Sequence, residues 1–254
     1  MNANEDSTDV QEQMLVAEAV RDSAAALEKV LVAVAALDEE AVRAPSPLPD
    51  WTRGHVLAHI EGVGNAHARQ AEFAARGERI QAYDGGMSGR NARIEEGAGR
   101  TVAEHQVALQ ALAARLADAW PADGDPRWQG RVTFRDGTVS DVALAWWREV
   151  RIHLVDLGVG IGPASWSEAL CVHLLDFLTS RLPAEEAIEL VADDGEVRRA
   201  VGPDGEAVLQ VGGALRELVA WLAGREPQER PRATASGAPV ELPTLRPWPS
   251  AERR

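Results

Sequence analysis

The chain opens with a long apolar repeat that a single helix cannot bury by itself. Between Val10 and Leu37, apolar side chains recur every three or four residues, which is the period of one helix face. The repeat consists of Met14, Ala17, Val20, Ala24, Leu27, Leu31, Val34 and Leu37. Such a face must be covered by other elements. The pattern therefore predicts that this helix packs against further helices.

A second helix is predicted to begin near Thr52. The proline-rich stretch 44–49 ends the first helix, because proline removes a backbone donor and disfavours helix in the residue before it. One face of the second helix carries Val56, His59, Ile60, Val63, Ala66 and Phe73. His59 therefore points toward the packed side, and we expect it to be buried.

The middle of the chain contains a loop, a helix and a hairpin signal. Residues 82–99 are rich in glycine, which indicates an irregular cover with a short helix around Arg90 to Glu96. Thr101 and Glu104 form a capping box that opens an amphipathic helix ending before Pro121. Residues 131–140 alternate around Asp136-Gly137 and predict a β-hairpin.

The next helix, predicted from Ser140 to Leu157 with Gly158 as its left-handed end, carries a pair of metal-binding side chains. Glu149 and His153 are four residues apart, so they lie one above the other on one face of this helix, about 5 to 6 Å apart at Cβ. With His59 from the second helix they form a plausible three-ligand site. Two nitrogens and one carboxylate leave a fourth tetrahedral position open, as in catalytic zinc sites.

Other polar residues compete with this assignment. His55 lies one turn before His59 on nearly the same face and is the main alternative ligand. His67 continues that row and is interpreted as structural or exposed. Asp156 either orients a ligand histidine or is an ordinary solvated residue. By spacing alone, a Glu and a His four apart are more often a simple polar contact. Their place on the core-facing stripe favours a cation, since a buried carboxylate needs a partner.

After Gly158 the chain changes character. Ser165 and Glu168 suggest another capping box, and a leucine-rich helix contains Cys171. Three short β-type runs follow, separated by Asp194-Gly195 and Asp204-Gly205, which predict an antiparallel meander. A helix from Ala214 to Leu222 precedes a proline-rich tail. We predict an α+β protein, with a helical bundle followed by a small α+β domain that contains an antiparallel sheet.

These patterns and the net charge predict the domain boundaries, the classes of partner and the cellular location. A flexible N-terminus covers residues 1–9, a metal-binding bundle 10–160, and the α+β domain 161–254. The net charge of −14 disfavours nucleic acid and anionic membranes as partners. The acidic N-terminus lacks the features of a signal peptide, and one cysteine, Cys171, fits a reducing compartment. These features predict a cytoplasmic protein, and we expect a monomer.

Two segments resemble a known family. LPDWTRGHVLAHIEG (48–62) and WWREVRIHLVDLG (146–158) resemble the paired signature of the mycothiol-dependent maleylpyruvate isomerases. The loop from Tyr83 to Glu95, the hairpin before the second segment, and AWLAGRE followed by a proline-rich tail ending near Trp248 also have counterparts there. The resemblance covers most of the chain. It implies that the N-terminal domain is a DinB-like four-helix bundle.

The resemblance also implies a site and a reaction. The zinc ligands, or ligands of another divalent metal, would be His59, Glu149 and His153, and Arg225 would take part in binding and catalysis. The reaction would be the cis-trans isomerisation of maleylpyruvate to fumarylpyruvate in the gentisate pathway, a route of aromatic compound degradation. Mycothiol would be the thiol cosubstrate, and its thiolate would add to the alkene and later leave. Two alternatives remain at this stage: a zinc-dependent mycothiol S-transferase acting on electrophiles, and a non-catalytic DinB-like metal- or ligand-binding protein.

Overall fold

The structure is a computed structural model that describes residues 3–203 and 208–249. It divides into two compact units, Met1–Ile161 and Gly162–Arg254. The first unit is helical and the second combines helices with a sheet, so the α+β class predicted from the sequence is confirmed. Across the described residues, no helix combines the length and hydropathy that crossing a membrane requires.

Four long helices form the first unit. They are α1 (Ala3–Ala35), α3 (Arg53–Ala74), α5 (Val102–Ala119) and α6 (Val139–Asp156), with the shorter α2 (Glu39–Arg43) and α4 (Gly86–Ala98) between them. α1 packs on α5 and α6, while α3 packs on α4, α5 and α6. Their apolar faces share one core that includes Val30, Ile60 and Trp146. The predicted four-helix bundle is therefore present.

The first helix differs from its prediction in length and in phase. It begins at Ala3, inside the segment assigned to the N-terminus, and Met14 is 67% exposed. Its buried residues are Val16, Ala19, Ser23, Ala26, Leu27, Val30 and Val34. Alanine is compatible with either face of a helix, so the apolar pattern of an alanine-rich segment does not fix which side is buried.

Short-range signals in the first unit were predicted well. The Thr101 and Glu104 side chains form the expected capping box, with two hydrogen bonds between cap and backbone. Thr138 and Asp141 form a second box, which was not predicted, and it opens α6 one residue before the predicted start at Ser140. Gly158 follows α6 with φ at 62°, the left-handed conformation predicted for it. These motifs depend on residues a few positions apart, so their geometry is determined locally.

The predicted hairpin at residues 131–140 is wrong. One antiparallel bridge joins Arg131 to Thr138, and the residues between form a short 3₁₀ turn, Phe134–Asp136. Arg135 and Asp136 both adopt positive φ, at 51° and 53°. Two such residues in succession close the chain more tightly than extended strands would allow. The loop cover at 82–99 also differs, because its helix α4 is longer than the predicted turn around Arg90 to Glu96.

The second unit contains helices α7 (Glu168–Leu178) and α8 (Leu215–Leu222) and one five-stranded sheet. The sheet order is β2-β1-β3-β4-β5, where the strands are β1 (Ile188–Ala192), β2 (Arg198–Val201), β3 (Leu209–Gly213), β4 (Arg232–Ala235) and β5 (Ala238–Val240). β1 pairs with β2 antiparallel but with β3 parallel. The predicted meander is therefore corrected to a mixed sheet, in which β2 and β5 are the two edge strands.

Three further details of the second unit depart from the sequence analysis. Ser167, not Ser165, caps α7, because its hydroxyl accepts from the backbone N–H of Leu170 at 3.2 Å. The tail after Glu226 contributes β4 and β5, which meet through Ser236 and Gly237 with φ at 50° and 77°. The Asp204-Gly205 turn lies outside the described residues. Cys171 is fully buried in α7 among its leucines.

Candidate metal centre

The structure brings together the three residues that the sequence selected. α3 places His59 and α6 places Glu149 and His153, and one ligand atom from each lies within 4.8 Å of the other two. The capped start of α3 at Thr52 and the four-residue spacing on α6 determine these positions. His59 is buried at 4% exposure, as expected.

The three ligand atoms form a nearly regular triangle. His59 Nε2 lies 3.2 Å from Glu149 Oε2 and 2.9 Å from His153 Nε2, and His153 Nε2 lies 3.3 Å from Glu149 Oε2. Ligands about 2.0 to 2.2 Å from a zinc ion at the corners of a tetrahedron are about 3.4 Å apart. The triangle therefore matches one face of such a tetrahedron if the Nε2 atoms of His59 and His153 move slightly apart. Two imidazoles and a carboxylate also suit zinc chemically.

The side chains of the triad differ in exposure. The His59 side chain is 6% exposed, that of His153 15% and that of Glu149 30%. The triad thus has a buried end at His59 and an end accessible to solvent at Glu149. A fourth ligand can approach from the accessible end.

The electrostatics of the triad are those of a carboxylate held between imidazoles. Burial alone would raise the pKa of Glu149, but hydrogen bonds from His153 and His59 outweigh it and hold that pKa well below its usual range. Burial, helped by the neighbouring His153, lowers the pKa of His59 to about 4. Glu149 is therefore an anion and His59 a neutral imidazole at neutral pH. Both are in the protonation states that a metal ion requires of its ligands.

Asp156 holds His153 from behind. Its Oδ2 lies 2.8 Å from His153 Nδ1, one helical turn along α6, and Asp156 itself is 1% exposed. Burial lowers the pKa of His153, but the bonds to Asp156 and Glu149 reverse the effect and raise it overall. An Nδ1 proton donated to this carboxylate leaves Nε2 free to bind a metal, which is the carboxylate–histidine arrangement of zinc sites. Of the two sequence interpretations of Asp156, the orienting one agrees with this contact.

The alternative ligand, His55, has a different role. Its Nδ1 lies 3.2 Å from the backbone N of Thr52 and closes the capping box of α3, and its Nε2 lies 3.4 Å from Glu95. His67 is buried between the rings of Phe134 and Trp146. Neither belongs to the triad. The ring of Trp51 meets that of His59 edge-on, with centroids 5.5 Å apart.

Two residues near the triad were not singled out as functional by the sequence. Arg90 of α4 places Nη2 3.0 Å from His59 Nδ1. Burial raises the pKa of Tyr83, and the positive charge of the nearby Arg90 partly opposes this effect. The sequence located both in a glycine-rich cover, but no short-range pattern indicates which helix that cover contacts.

Arg225 lies in the second unit, just after α8. Its Nη1 donates to the Ala223 carbonyl at 2.6 Å, and its guanidinium lies 5.6 Å from the ring centre of Trp248. Arg181 occupies a similar position, 5.6 Å from the same ring. Arg225 and Arg181 thus form a pair of cations next to the ring of Trp248.

Comparisons with known proteins identify a family for the first unit and similar folds for the chain. The family described as mycothiol maleylpyruvate isomerase N-terminal domain matches residues 21–158, which contain all three triad residues. Similar solved structures are a mycothiol-dependent maleylpyruvate isomerase and a histidine-to-alanine mutant of that enzyme. Each has a TM-score of 0.77 and 24% identity, over 90% of this chain and 95% of the other. No curated protein matches the chain.

Proposed function

Because the chain belongs to the family of the mycothiol maleylpyruvate isomerase N-terminal domain, we propose that it is a zinc- and mycothiol-dependent maleylpyruvate isomerase. The product would be fumarylpyruvate. The observation that supports this proposal most directly is the His59, Glu149 and His153 triangle, whose edges approach those of a tetrahedral zinc site and whose accessible end admits one further ligand. Its residues would hold the metal.

The reaction needs a temporary single bond. Rotation about a carbon–carbon double bond is prohibitive, so a nucleophile must add to the alkene and leave after rotation. A thiolate attacks one alkene carbon, the π electrons move to the conjugated ketone oxygen, and the enolate later returns them and expels the thiolate. When bound, zinc supplies an open coordination position at which a thiol is deprotonated at neutral pH. The Glu149 carboxylate would offset part of the positive charge of the metal ion, and the helices hold the imidazoles of His59 and His153 in position.

Arg225 supplies the second part of the proposal. Its planar guanidinium matches a carboxylate with two parallel hydrogen bonds, and mycothiol or substrate would bind there. Its neighbours suit a polar ligand, since Arg181 lies on the same indole ring and the pKa of Arg181 is lowered by burial and by the nearby Arg225. An anion would relieve the repulsion between these two cations.

The test begins with metal analysis of the purified protein. We expect close to one equivalent of zinc, and a loss of both zinc and mycothiol-dependent isomerisation in His153→Ala. Breaking a three-ligand site leaves too few donors to hold the ion against water. His173→Ala in α7 is the control, because His173 lies outside the triad. Full activity of His153→Ala without metal would exclude this mechanism.

Product analysis separates the isomerase from the two alternatives. An isomerase regenerates free mycothiol, so the thiol concentration stays constant while absorbance reports conversion of maleylpyruvate. An S-transferase consumes one thiol for each product. A non-catalytic binding protein holds the metal and shows neither change. Conversion at a constant thiol concentration is the expected result.

A further inference from the structure

Arg90 is a cation beside the triad without a carboxylate partner among the described residues. Its Nη2 lies 3.0 Å from His59 Nδ1, and its Nη1 donates to Asn91 Oδ1 at 3.0 Å. Nearby arginines behave differently. Arg69 pairs with Asp84 at 2.8 Å, and Arg100 pairs with Glu61 at 3.2 Å. Arg90 is thus a half-buried guanidinium directed at the centre rather than at a structural carboxylate.

Helix α4 is held so that Arg90 keeps this position. At its start, Asp84 receives Arg69 at 2.8 Å and Arg93 at 3.4 Å. Toward its end, α4 lies against α3 so closely that a Cβ on Gly97 would come within 2.8 Å of the Ala58 Cβ. The Tyr83 phenol lies near Arg90, whose positive charge acts to lower the pKa of Tyr83. Arg90 is therefore positioned by several contacts along one helix.

The contact between Arg90 and His59 becomes unfavourable when a metal occupies the triad. A ligand imidazole that binds metal through Nε2 carries its proton on Nδ1. A guanidinium has five donors and no acceptor, so two donors would then face each other at this contact. An anionic oxygen beside this contact, within reach of both nitrogens, would satisfy both donors. Carboxylates fit this position because they accept from an arginine and a second donor at once.

We propose that Arg90, together with the Nδ1–H of His59, binds one carboxylate of the substrate at the edge of the metal centre. This inference rests on the proposed function and adds the missing substrate contact. Maleylpyruvate is a dianion, so it needs a cationic partner for each carboxylate. Arg90 provides one such guanidinium within the first unit, beside the proposed metal ligands.

The test measures binding of succinylpyruvate, which has both carboxylates but no alkene and cannot be isomerised. Calorimetry on the zinc-loaded full chain compares wild type with Arg90→Gln and with Arg76→Gln, a control at an exposed arginine of the same unit, just after α3. We expect Arg90→Gln to keep its zinc and thermal transition but to bind the analogue about 10- to 100-fold more weakly, as for the loss of a charged hydrogen bond. Arg76→Gln should bind like wild type.

Arg90→Lys provides a second variant that keeps the charge but lacks the planar fork, and we expect several-fold weaker binding. Wild-type affinity in a folded, zinc-loaded Arg90→Gln or Arg90→Lys would overturn the inference. Loss of zinc in Arg90→Gln would also overturn it, because Arg90 would then support the metal site instead.

The two proposals fail in different ways. If wild type shows no thiol-dependent isomerisation but binds the analogue through Arg90, the carboxylate subsite stands and the proposed function fails. If wild type isomerises maleylpyruvate and Arg90→Gln has unchanged KM and analogue affinity, the function stands and the subsite fails.

Discussion

Asp156 would affect the proposed metal site through His153, without being a metal ligand itself. Because it fixes the ring of His153 at 2.8 Å, we expect Asp156→Ala to lower zinc affinity about 10- to 100-fold. Competition with a chelator of known affinity measures this. Asp118→Ala, at an exposed position on α5, is the control. Equal affinity in both variants would show that His153 needs no carboxylate behind it.

His67 links the stability of the first unit to pH. Burial lowers its pKa from 6.5 to about 4, and among the described residues its Nδ1 has no hydrogen-bond partner. The unfolded chain therefore binds a proton that the folded chain rejects. The stability that depends on neutral His67 is therefore fully present above pH 6.5 and is lost as the pH falls from 6.5 to about 4. This loss lowers the free energy of unfolding by a few kcal/mol at most.

We expect His67→Phe to reduce this pH dependence, since phenylalanine keeps a ring between Phe134 and Trp146 but does not titrate. Urea unfolding of metal-free protein at several pH values between 4 and 7 measures the free energy of unfolding. His59 and His105 are also buried with pKa values lowered to about 4, so the variant should retain part of the slope. Identical slopes in variant and wild type would contradict this account of His67.

At the scale of elements, the contact between α3 and α4 depends on glycine. A Cβ on Gly54 would overlap the Ala98 carbonyl oxygen, whereas a Cβ on Gly62, in the same helix, would meet nothing within 4 Å. We expect Gly54→Ala to destabilise the protein by about 1 to 3 kcal/mol through overpacking against backbone. Gly62→Ala should stabilise it by about 0.5 to 1 kcal/mol, as alanine favours helix.

Urea unfolding of the two variants tests this pair directly. Because Gly54→Ala pushes α4 away from α3, it should also weaken analogue binding through Arg90. Equal stabilities for the two variants would mean that α4 adapts to the added methyl group without cost.

The elements that could be predicted from sequence are those whose cause is local. Thr101 with Glu104, and Gly158 after α6, needed only their neighbours in the chain. The parallel pairing of β1 with β3 was missed because it is decided by which edge of β1 is already occupied by β2. The Asp136-Gly137 signal failed because a tight turn with positive φ at Arg135 and Asp136 replaced the strands.

The residues of the candidate site also differ in whether the sequence could identify them. Glu149 and His153 were recognisable because four residues on a helix bring them together, and His59 because its helix face is apolar. Arg90 was not, since its position beside His59 depends on how closely Gly54 and Gly97 allow two helices to approach. Distances of that kind come from tertiary packing, which short patterns do not encode.

At the scale of the whole molecule, the residues proposed for the activity are divided between the two units. The three candidate metal ligands lie in the first unit and Arg225 lies in the second. We therefore expect Arg225→Ala to keep its zinc and lose at least 100-fold in kcat/KM, as for removal of a charged contact made in the transition state. Steady-state assays and metal analysis of the same preparation measure both quantities.

Arg230→Ala, at an exposed position near Arg225, is the control and should behave as wild type. A loss of zinc in Arg225→Ala would show that the second unit contributes to metal binding. An unchanged kcat/KM would remove Arg225 from the mechanism.

The burial of Cys171 matters for a protein proposed to handle a thiol. It is the single cysteine of the chain and is fully shielded within α7. A mixed disulfide forms only where a thiolate can reach a partner sulfur. When oxidative stress converts mycothiol to its disulfide, that disulfide therefore cannot reach Cys171 to form a mixed disulfide with this protein. Its sensitivity to such stress would come from depletion of the cosubstrate, and adding fresh reductant would restore turnover without repair of the polypeptide.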